Sequence, residues 1–577
     1  VPRHLRLPVT ERMDRDGKVL LPLDMSSLEA ALPVLDGQGV ESVAVGYLHA
    51  FVNPEHEQRT AEWLARVRPD LSLTLASEVC PEIREFERLS TACANAYVRP
   101  LMAGYLERMA GELKALGFDC PFLLMTSGGG LTTLETAAKF PIRLVESGPA
   151  GGAILARDVA KGAGFERVLS FDMGGTTAKL CLIDDYEPLT SRSFEVDRVY
   201  RFRKGSGLPV RIPVIEMVEI GAGGGSIARV DKLGRIQVGP ESAGSEPGPA
   251  AYGRGGDKPA VTDADVHLGR IVAEKFAGGA FELDTGAAER VLLKGIAEPL
   301  GLEPAMAAFG VSEVVDENMA AASRAHAAEF GMDLASRDMV AFGGAAPLHA
   351  VRVGEKLGVK RIIVPAEAGV GSAVGFLLAP VAYEVVRSRR QRLSALDYAL
   401  VNRLMDEMRE ESLAVVRVGA PGEKLREVRH AYMRYVGQGH EILVDLPVET
   451  YSEEHAGVLR DAFEAAYRRL YGRVMEGIDI EVLSWTLTIS EPVREAATAD
   501  GMPLPLSLSA QPGRQVLFDP EKEEAVEAAV YLREALHPGE TVYGPALITE
   551  DQTTTVVTTG WRATIDPRGH ILLERRP

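Results

Sequence analysis

Apolar positions along the chain fall into short runs separated by turn residues, and the runs alternate between helical and extended spacing. Ser27 to Leu35 has helical spacing, Glu41 to Phe51 is an apolar run of strand type, Pro54 to Val67 is helical, and Leu71 to Ala76 is extended again. Pro54 at a helix start and the Asp36-Gly37 turn suit these boundaries. A long helix is predicted over Glu85 to Leu116. It is followed by a strand at Pro121 to Met125, a glycine loop Ser127-Gly128-Gly129-Gly130 and a helix near Thr133 to Lys139. Strands interleaved with helices predict an α/β layer with a mainly parallel sheet.

A second glycine-rich run, Glu146-Ser147-Gly148-Pro149-Ala150-Gly151-Gly152, opens an alanine-rich helix. The strand Arg167 to Asp172 then enters Gly174-Gly175-Thr176-Thr177 and leaves as Ala178 to Ile183. Two β-forming runs joined by a Gly-Gly turn predict a hairpin, not a strand-to-helix crossover. Tyr186 to Pro213 is mixed and polar, with Lys204-Gly205-Ser206-Gly207 reading as a mobile loop, and Ile215 to Gly269 is dense in glycine and proline. Long helices are predicted over Thr285 to Phe330. A further α/β unit follows, with strands at Met339 to Phe342 and Arg361 to Val364 around Gly343-Gly344-Ala345 and a helix. Beyond Pro380 the pattern changes to a charged helix, Leu396 to Val416, and strand-like runs at Ala431 to Val436, Glu441 to Leu446, Ile478 to Ile489, Ala546 to Ile548 and Thr553 to Thr558. The expected domains are residues 1–165, 166–390 and 391–577.

Composition narrows the function classes. The 577 residues, 46% hydrophobic and 25% charged, belong to an ordinary globular chain of several domains. With 63 basic against 82 acidic residues the net charge is −19, which argues against a general nucleic-acid or anionic-membrane binder and leaves room for a local phosphate pocket. Cys80, Cys93, Cys120 and Cys181 form no C-x-x-C pair, so neither zinc nor a disulfide framework is indicated. The most apolar stretch, Ala373 to Val381, is too short for a membrane span. The first residues show no signal-peptide core, and a cytoplasmic location is expected.

The sharpest chemistry lies in Phe171-Asp172-Met173-Gly174-Gly175-Thr176-Thr177-Ala178-Lys179. Glycines let backbone N–H groups approach phosphate oxygens, threonines add donors, and a carboxylate at the strand end can hold Mg²⁺. The alternative is a tight hairpin with an Asp turn residue. Neither a P-loop nor a Rossmann fingerprint is present. Gly221 to Ser226, with Gly223, Gly224, Gly225 and Ser226, is a second donor loop after an apolar strand around Ile215 to Ile220. Gly343, Gly344 and Ala345 close a third, suited to border a nucleoside. Three such loops at strand ends resemble the two-lobed actin-like ATPase plan.

The ordered set Glu219 to Ala228, Gly239 to Gly244, Pro247-Gly248-Pro249, Tyr252 to Gly256, Val261-Thr262-Asp263-Ala264-Asp265 and Phe342 to Ala350 resembles the hydantoinase A family across essentially the whole chain. So do Gly437-Gln438, Gly544-Pro545-Ala546 and Thr553-Thr554-Thr555. That family includes ATP-dependent hydantoinases, 5-oxoprolinases and a subunit of the acetone and acetophenone carboxylases. Two features depart from it. An earlier acidic Gly-Gly-Thr hairpin, the family's first phosphate motif, is absent, so the chain resembles an N-terminally shortened member. Ala251 also stands where the family often has Cys.

The resemblance implies an α/β, actin-like ATPase core with a smaller β-rich C-terminal domain, acting as the ATP-dependent activating subunit of a hydantoinase or 5-oxoprolinase type of cyclic-amide hydrolase. It implies ATP with Mg²⁺ or another divalent metal as cofactors, and a hydantoinase B-type partner in a hetero-oligomer. A ketone carboxylase subunit, or a silent scaffold lacking the first phosphate motif, are the alternatives. Asp172 would organise the metal, Gly174, Gly175, Thr176 and Thr177 would hold the β- and γ-phosphates, and Gly343, Gly344 and Ala345 would border the nucleoside. Asp263 and Asp265 are candidate acid/base or second-metal groups, with a helix-capping turn as the other reading. Arg254 is a candidate clamp or a surface salt bridge. Glu146 and Ser147 open a helix that could meet an anion or simply be capped. His349 and His326 read as structural histidines.

Overall fold

A computed structural model describes residues 1–199, 205–422, 424–492 and 511–576; Lys204 of the expected mobile loop lies outside the described residues. The chain forms two compact units, one from Val1–Ser147, Ser191–Val214 and Ala379–Arg494, the other from Gly148–Thr190, Ile215–Leu378 and Glu495–Pro577. Each of the stretches 1–165, 166–390 and 391–577 is therefore divided between the units. The reason is strand pairing over long sequence separations, which local composition does not register.

In the first unit, an antiparallel sheet orders Ala382–Arg392, Ile480–Ser490, Arg426–Tyr435 and Ile442–Leu446 side by side. The helices Tyr398–Gly419 and His455–Tyr471 cover one of its faces around Met408, Phe463, Tyr435 and Trp485. A smaller parallel pair, Ser42–Val45 with Ser72–Leu75, packs with the helix Glu55–Val67 and the long helix Glu85–Ala115. The strand predicted over Glu41 to Phe51 stops at Val45, and His49 beyond it takes a positive φ of 60° that extended backbone does not allow.

The second unit carries the sheet that positions the glycine loops. Its main strands are Arg167–Met173 (β1), Ala178–Asp184 (β2), Met217–Ile220 (β3), Asp338–Phe342 (β4), Arg361–Val364 (β5), Thr541–Tyr543 (β6), Trp561–Ile565 (β7) and Ile571–Arg575 (β8), with the short Glu187–Pro188 paired to β2. Their spatial order is β3-β2-β1-β4-β5-β8-β7-β6. β1, β4 and β5 are mutually parallel and the other neighbours antiparallel, so the sheet is mixed. The parallel strands are mostly apolar, with Phe171, Ala341, Phe342, Ile362 and Val364 essentially inaccessible, as strands covered on both faces must be. The predicted hairpin is present, with Met173 opposite Ala178. Helices Val261–His267 (α1), Pro304–Glu329 (α2), Ala346–Leu357 (α3) and Gly371–Leu378 (α4) belong to this unit. Among the described residues no helix is long and apolar enough to cross a membrane.

Candidate functional site

The carboxyl end of β1 delivers Asp172 and Met173 to the turn Gly174–Thr177. There Gly175 and Thr176 are exposed, and a side chain added at Gly174 or Gly175 would meet nothing within 4 Å. The outer face of the turn is therefore open to a ligand. Its inner face is closed by the second glycine loop. The Gly224 N–H donates to the Gly174 carbonyl at 3.0 Å and the Gly225 N–H to the Gly175 carbonyl at 2.6 Å. The second loop is held in turn from α1, because the Thr262 N–H and hydroxyl both donate to the Gly224 carbonyl, at 2.7 and 2.9 Å. Ser226 supports it from within, its hydroxyl accepting from the Gly223 N–H at 2.9 Å.

The third loop meets the first at Gly343. Its φ is +100°, its N–H donates to the Ala368 carbonyl at 2.7 Å, and the Ala345 N–H donates to the Met173 carbonyl at 2.9 Å. Backbone hydrogen bonds thus draw the sequence-predicted residues Asp172, Gly174, Gly175, Thr176, Thr177, Gly223, Gly224, Gly225, Ser226, Gly343, Gly344 and Ala345 into one cluster, in which Gly223, Gly224, Gly225, Ser226 and Ala345 are buried behind the exposed turn. The Glu146 to Gly152 run contributes a packing contact instead of a loop. Ser147–Ala163 is helical, and Gly151 lies against Gly375 so closely that a Cβ on Gly375 would sit 1.8 Å from the Gly151 carbonyl oxygen. That approach sets α4 so that the Ser372 hydroxyl donates to Asp172 Oδ2 at 3.2 Å.

Electrostatically, burial raises the Asp172 carboxyl above the usual range, opposed by Lys179 and the Ser372 hydrogen bond. Lys179 also donates to the Thr177 hydroxyl and lies 3.4 Å from Glu219. A carboxylate kept partly out of water with only partial compensation is a fitting ligand for a cation. Among the described residues no three His, Cys, Asp or Glu side chains cluster as a self-sufficient metal cage. Mg²⁺ does not require one, since it commonly uses one or two carboxylates with phosphate oxygens and water.

Asp263 and Asp265 are both buried, on α1. The Asp263 carboxylate accepts the N–H groups of Ala250, Ala251 and Ala260 at 3.3, 2.7 and 2.8 Å. It ties the loop 249–260 to the helix start from the third position of α1, whereas the capping-turn reading set it ahead of a helix after Ala264. Asp265 accepts from Arg270 at 3.0 Å and meets His349 Nε2 at 3.1 Å, while His349 Nδ1 meets Asp316 at 2.7 Å. Both ring nitrogens face carboxylates, so both donate and the ring is an imidazolium. Burial opposes its charge, but Asp265 and Asp316 outweigh that and lift its pKa to about 9. Burial alone would raise Asp265, yet His349 and Arg270 hold it below the usual range. Arg254 stacks over the Phe281 ring at 4.9 Å, and His326 packs edge-on against Phe330 in the interior of the unit.

Sequence reasoning missed Ser372, Arg270, Asp316 and Ser312, whose hydroxyl accepts from Arg270 at 2.6 Å. None lies in a glycine loop, and only the 3.6-residue spacing of Ser312, Asp316 and Met319 on α2 marks their inward face.

The hydantoinase/oxoprolinase family model matches residues 88–385, its N-terminal region matches 1–67 and its C-terminal domain matches 398–576. The chain is 31% identical to the caprolactamase subunit alpha of Pseudomonas jessenii, over 98% of this chain and 81% of the relative. It is 30% identical to the acetophenone carboxylase gamma subunit of Aromatoleum aromaticum, over 100% and 79%. The crystal structure of the ATP-dependent caprolactamase from Pseudomonas jessenii superposes with a TM-score of 0.84 at 30% identity, covering 100% of this chain and 83% of that one.

Proposed function

The chain belongs to the hydantoinase/oxoprolinase family, and from that premise we propose that it is the ATP-dependent activating subunit of a cyclic-amide hydrolase built on an actin-like core. The observation that carries this reading is the open turn Gly174–Thr177, backed by the Gly223–Ser226 loop and flanked by Asp172. The β3-β2-β1-β4-β5 order and the hairpin at the end of β1 support the actin-like assignment. Family relatives named as subunits support a hetero-oligomer, with a hydantoinase B-type chain as the proposed partner.

An amide oxygen is a poor leaving group, and phosphorylation makes it a good one. The bond from the γ-phosphorus to ADP breaks as the substrate carbonyl oxygen bonds to phosphorus, and the ring carbon becomes open to water. Catalysis of this kind is mostly positioning and charge neutralisation. Gly174, Gly175, Thr176 and Thr177 would donate to the β- and γ-phosphates, and Lys179 orients Thr177 among them. Asp172 would hold Mg²⁺, which supplies charge neutralisation on the phosphates. Gly343, Gly344 and Ala345 would border the nucleoside. Asp265 and Asp263 act from behind, fixing α1 and the loop before it.

The test is phosphate release from Mg-ATP by the protein with its partner across caprolactam, hydantoin, N-methylhydantoin, 5-oxoproline, acetone and acetophenone, each with and without bicarbonate. Stimulation by one cyclic amide without bicarbonate supports the reading and identifies the ring. Stimulation only by a ketone with bicarbonate moves the protein to the carboxylases, the reading that the acetophenone carboxylase relative favours.

A further inference from the structure

The register of three strands sets a row of charges beside the open turn. Asp172 on β1 pairs with Lys179 on β2, and Lys179 pairs in turn with Glu219 on β3. Register partners on neighbouring strands project from the same face of a sheet. The row across β1, β2 and β3 therefore reads carboxylate, ammonium, carboxylate. An anionic ligand at this place would be repelled by both ends of the row and attracted only by its centre.

Lys179 keeps donor capacity for such a ligand. Among the described residues its ammonium makes a hydrogen bond to the Thr177 hydroxyl and an ion pair with Glu219 at 3.4 Å. An ammonium carries three N–H donors, so those two contacts leave one of them without a protein acceptor. The group is reachable from solvent: the Lys179 side chain is 23% exposed and that of Glu219 is 42% exposed. Gly175 and Thr176 of the adjoining turn are exposed as well. Because the Thr177 oxygen accepts from Lys179, the Thr177 O–H is left to donate elsewhere, and the two side chains offer their donors together.

Strand order indicates which part of a nucleotide comes here. The third glycine loop follows β4, and β4 and β2 lie on opposite sides of β1. Two strand spacings, roughly 10 Å, separate them. With its nucleoside at Gly343–Ala345 and its phosphates crossing the end of β1, a nucleotide extends toward β2, where its terminal phosphate meets Lys179. We propose that the Lys179 ammonium binds the γ-phosphate and thereby distinguishes a nucleoside triphosphate from a diphosphate. The assignment rests on the nucleotide-binding reading above and adds to it the residue that senses the third phosphate. Glu219 holds the ammonium at the rim of the turn until the ligand arrives.

Calorimetric titration with Mg-ATP and Mg-ADP, without substrate, tests this. Lys179→Met should weaken Mg-ATP binding about ten- to hundredfold, the scale of one hydrogen bond to a charged group, and leave Mg-ADP binding within about threefold. Equal weakening of the two nucleotides would overturn the assignment. The double variant Lys179→Met, Glu219→Gln should keep the Mg-ATP deficit, because the lost contact is with the ligand. Recovery of wild-type Mg-ATP affinity there would show that Lys179 only screens Glu219, and would overturn the assignment too. Glu219→Gln alone, a change to an exposed side chain, releases the ammonium and should preserve or raise the ATP-to-ADP affinity ratio; a lowered ratio would count against the proposal. Absence of binding by either nucleotide to the wild type would overturn the nucleotide reading and this inference with it.

Discussion

Gly343 stands so close to Met173 that a Cβ on it would lie 2.4 Å from the Met173 carbonyl oxygen. The contact joins the loop after β4 to the end of β1, and the positive φ of Gly343 adds a second reason for glycine. Gly343→Ala should therefore cost about 1–3 kcal/mol from backbone strain alone and should separate the two loops. Thermal unfolding and Mg-ATP binding together check it; wild-type behaviour in both would mean that the loops do not need this contact.

Asp172→Asn separates function from stability. Because burial raises the Asp172 carboxyl, folding works against its charged form above the ordinary carboxylate range, and that cost is present at neutral pH. A neutral amide removes the cost, so the melting temperature should stay level or rise. Mg-ATP turnover should drop by at least about 100-fold, the scale of losing a principal electrostatic group. Near-normal turnover would refute the role given to Asp172.

His349 makes stability depend on alkaline pH. Its folded pKa of about 9 lies above the ordinary 6.5, so its contribution is complete below about 6.5 and is lost as pH rises through about 9. Denaturant titrations at pH 6, 8 and 10 should show the loss, and His349→Gln should flatten that limb while costing about 3–5 kcal/mol at pH 6, as for a buried pair deprived of one partner. An unchanged slope in the variant would place the alkaline limb elsewhere.

Asp263→Ala strips three buried N–H groups of their acceptor. At about 1–3 kcal/mol for each unsatisfied group, the loss should be several kcal/mol, with faster proteolysis in the Pro249–Ala260 loop. Asp263→Asn, which keeps one of the two acceptor oxygens, should lose less. Equal losses in the two variants would argue against the capping role.

The parts of this fold that were legible are those governed by local rules. The Gly-Gly turn between Asp172 and Lys179 announced its hairpin because turn chemistry is local, and the helix Glu85–Ala115 was foreseen although Pro100 lies inside it. The helix His455–Tyr471 was equally available from Leu459, Phe463, Ala466 and Tyr467, although the many charges around them obscured the stripe. The strands Gly513–Asp519 and Glu524–Leu532 carry polar residues on their exposed faces and resembled loops. In the site, the glycine loops were readable and their supports were not. Ser372 and Asp316 reach their partners only through helix packing, across separations of 200 and 33 residues.

The pairing of Val364 with Ile571 bears on how the protein is made. A ribosome must add roughly 200 residues after β5 before the strand that covers its open edge exists. During that interval β5 presents unpaired amides beside a finished glycine-loop platform, a template for misassociation of nascent chains. The nucleotide sheet is thus a structure that the polypeptide completes late, and slow elongation between the two strands should lower its yield before it alters its activity.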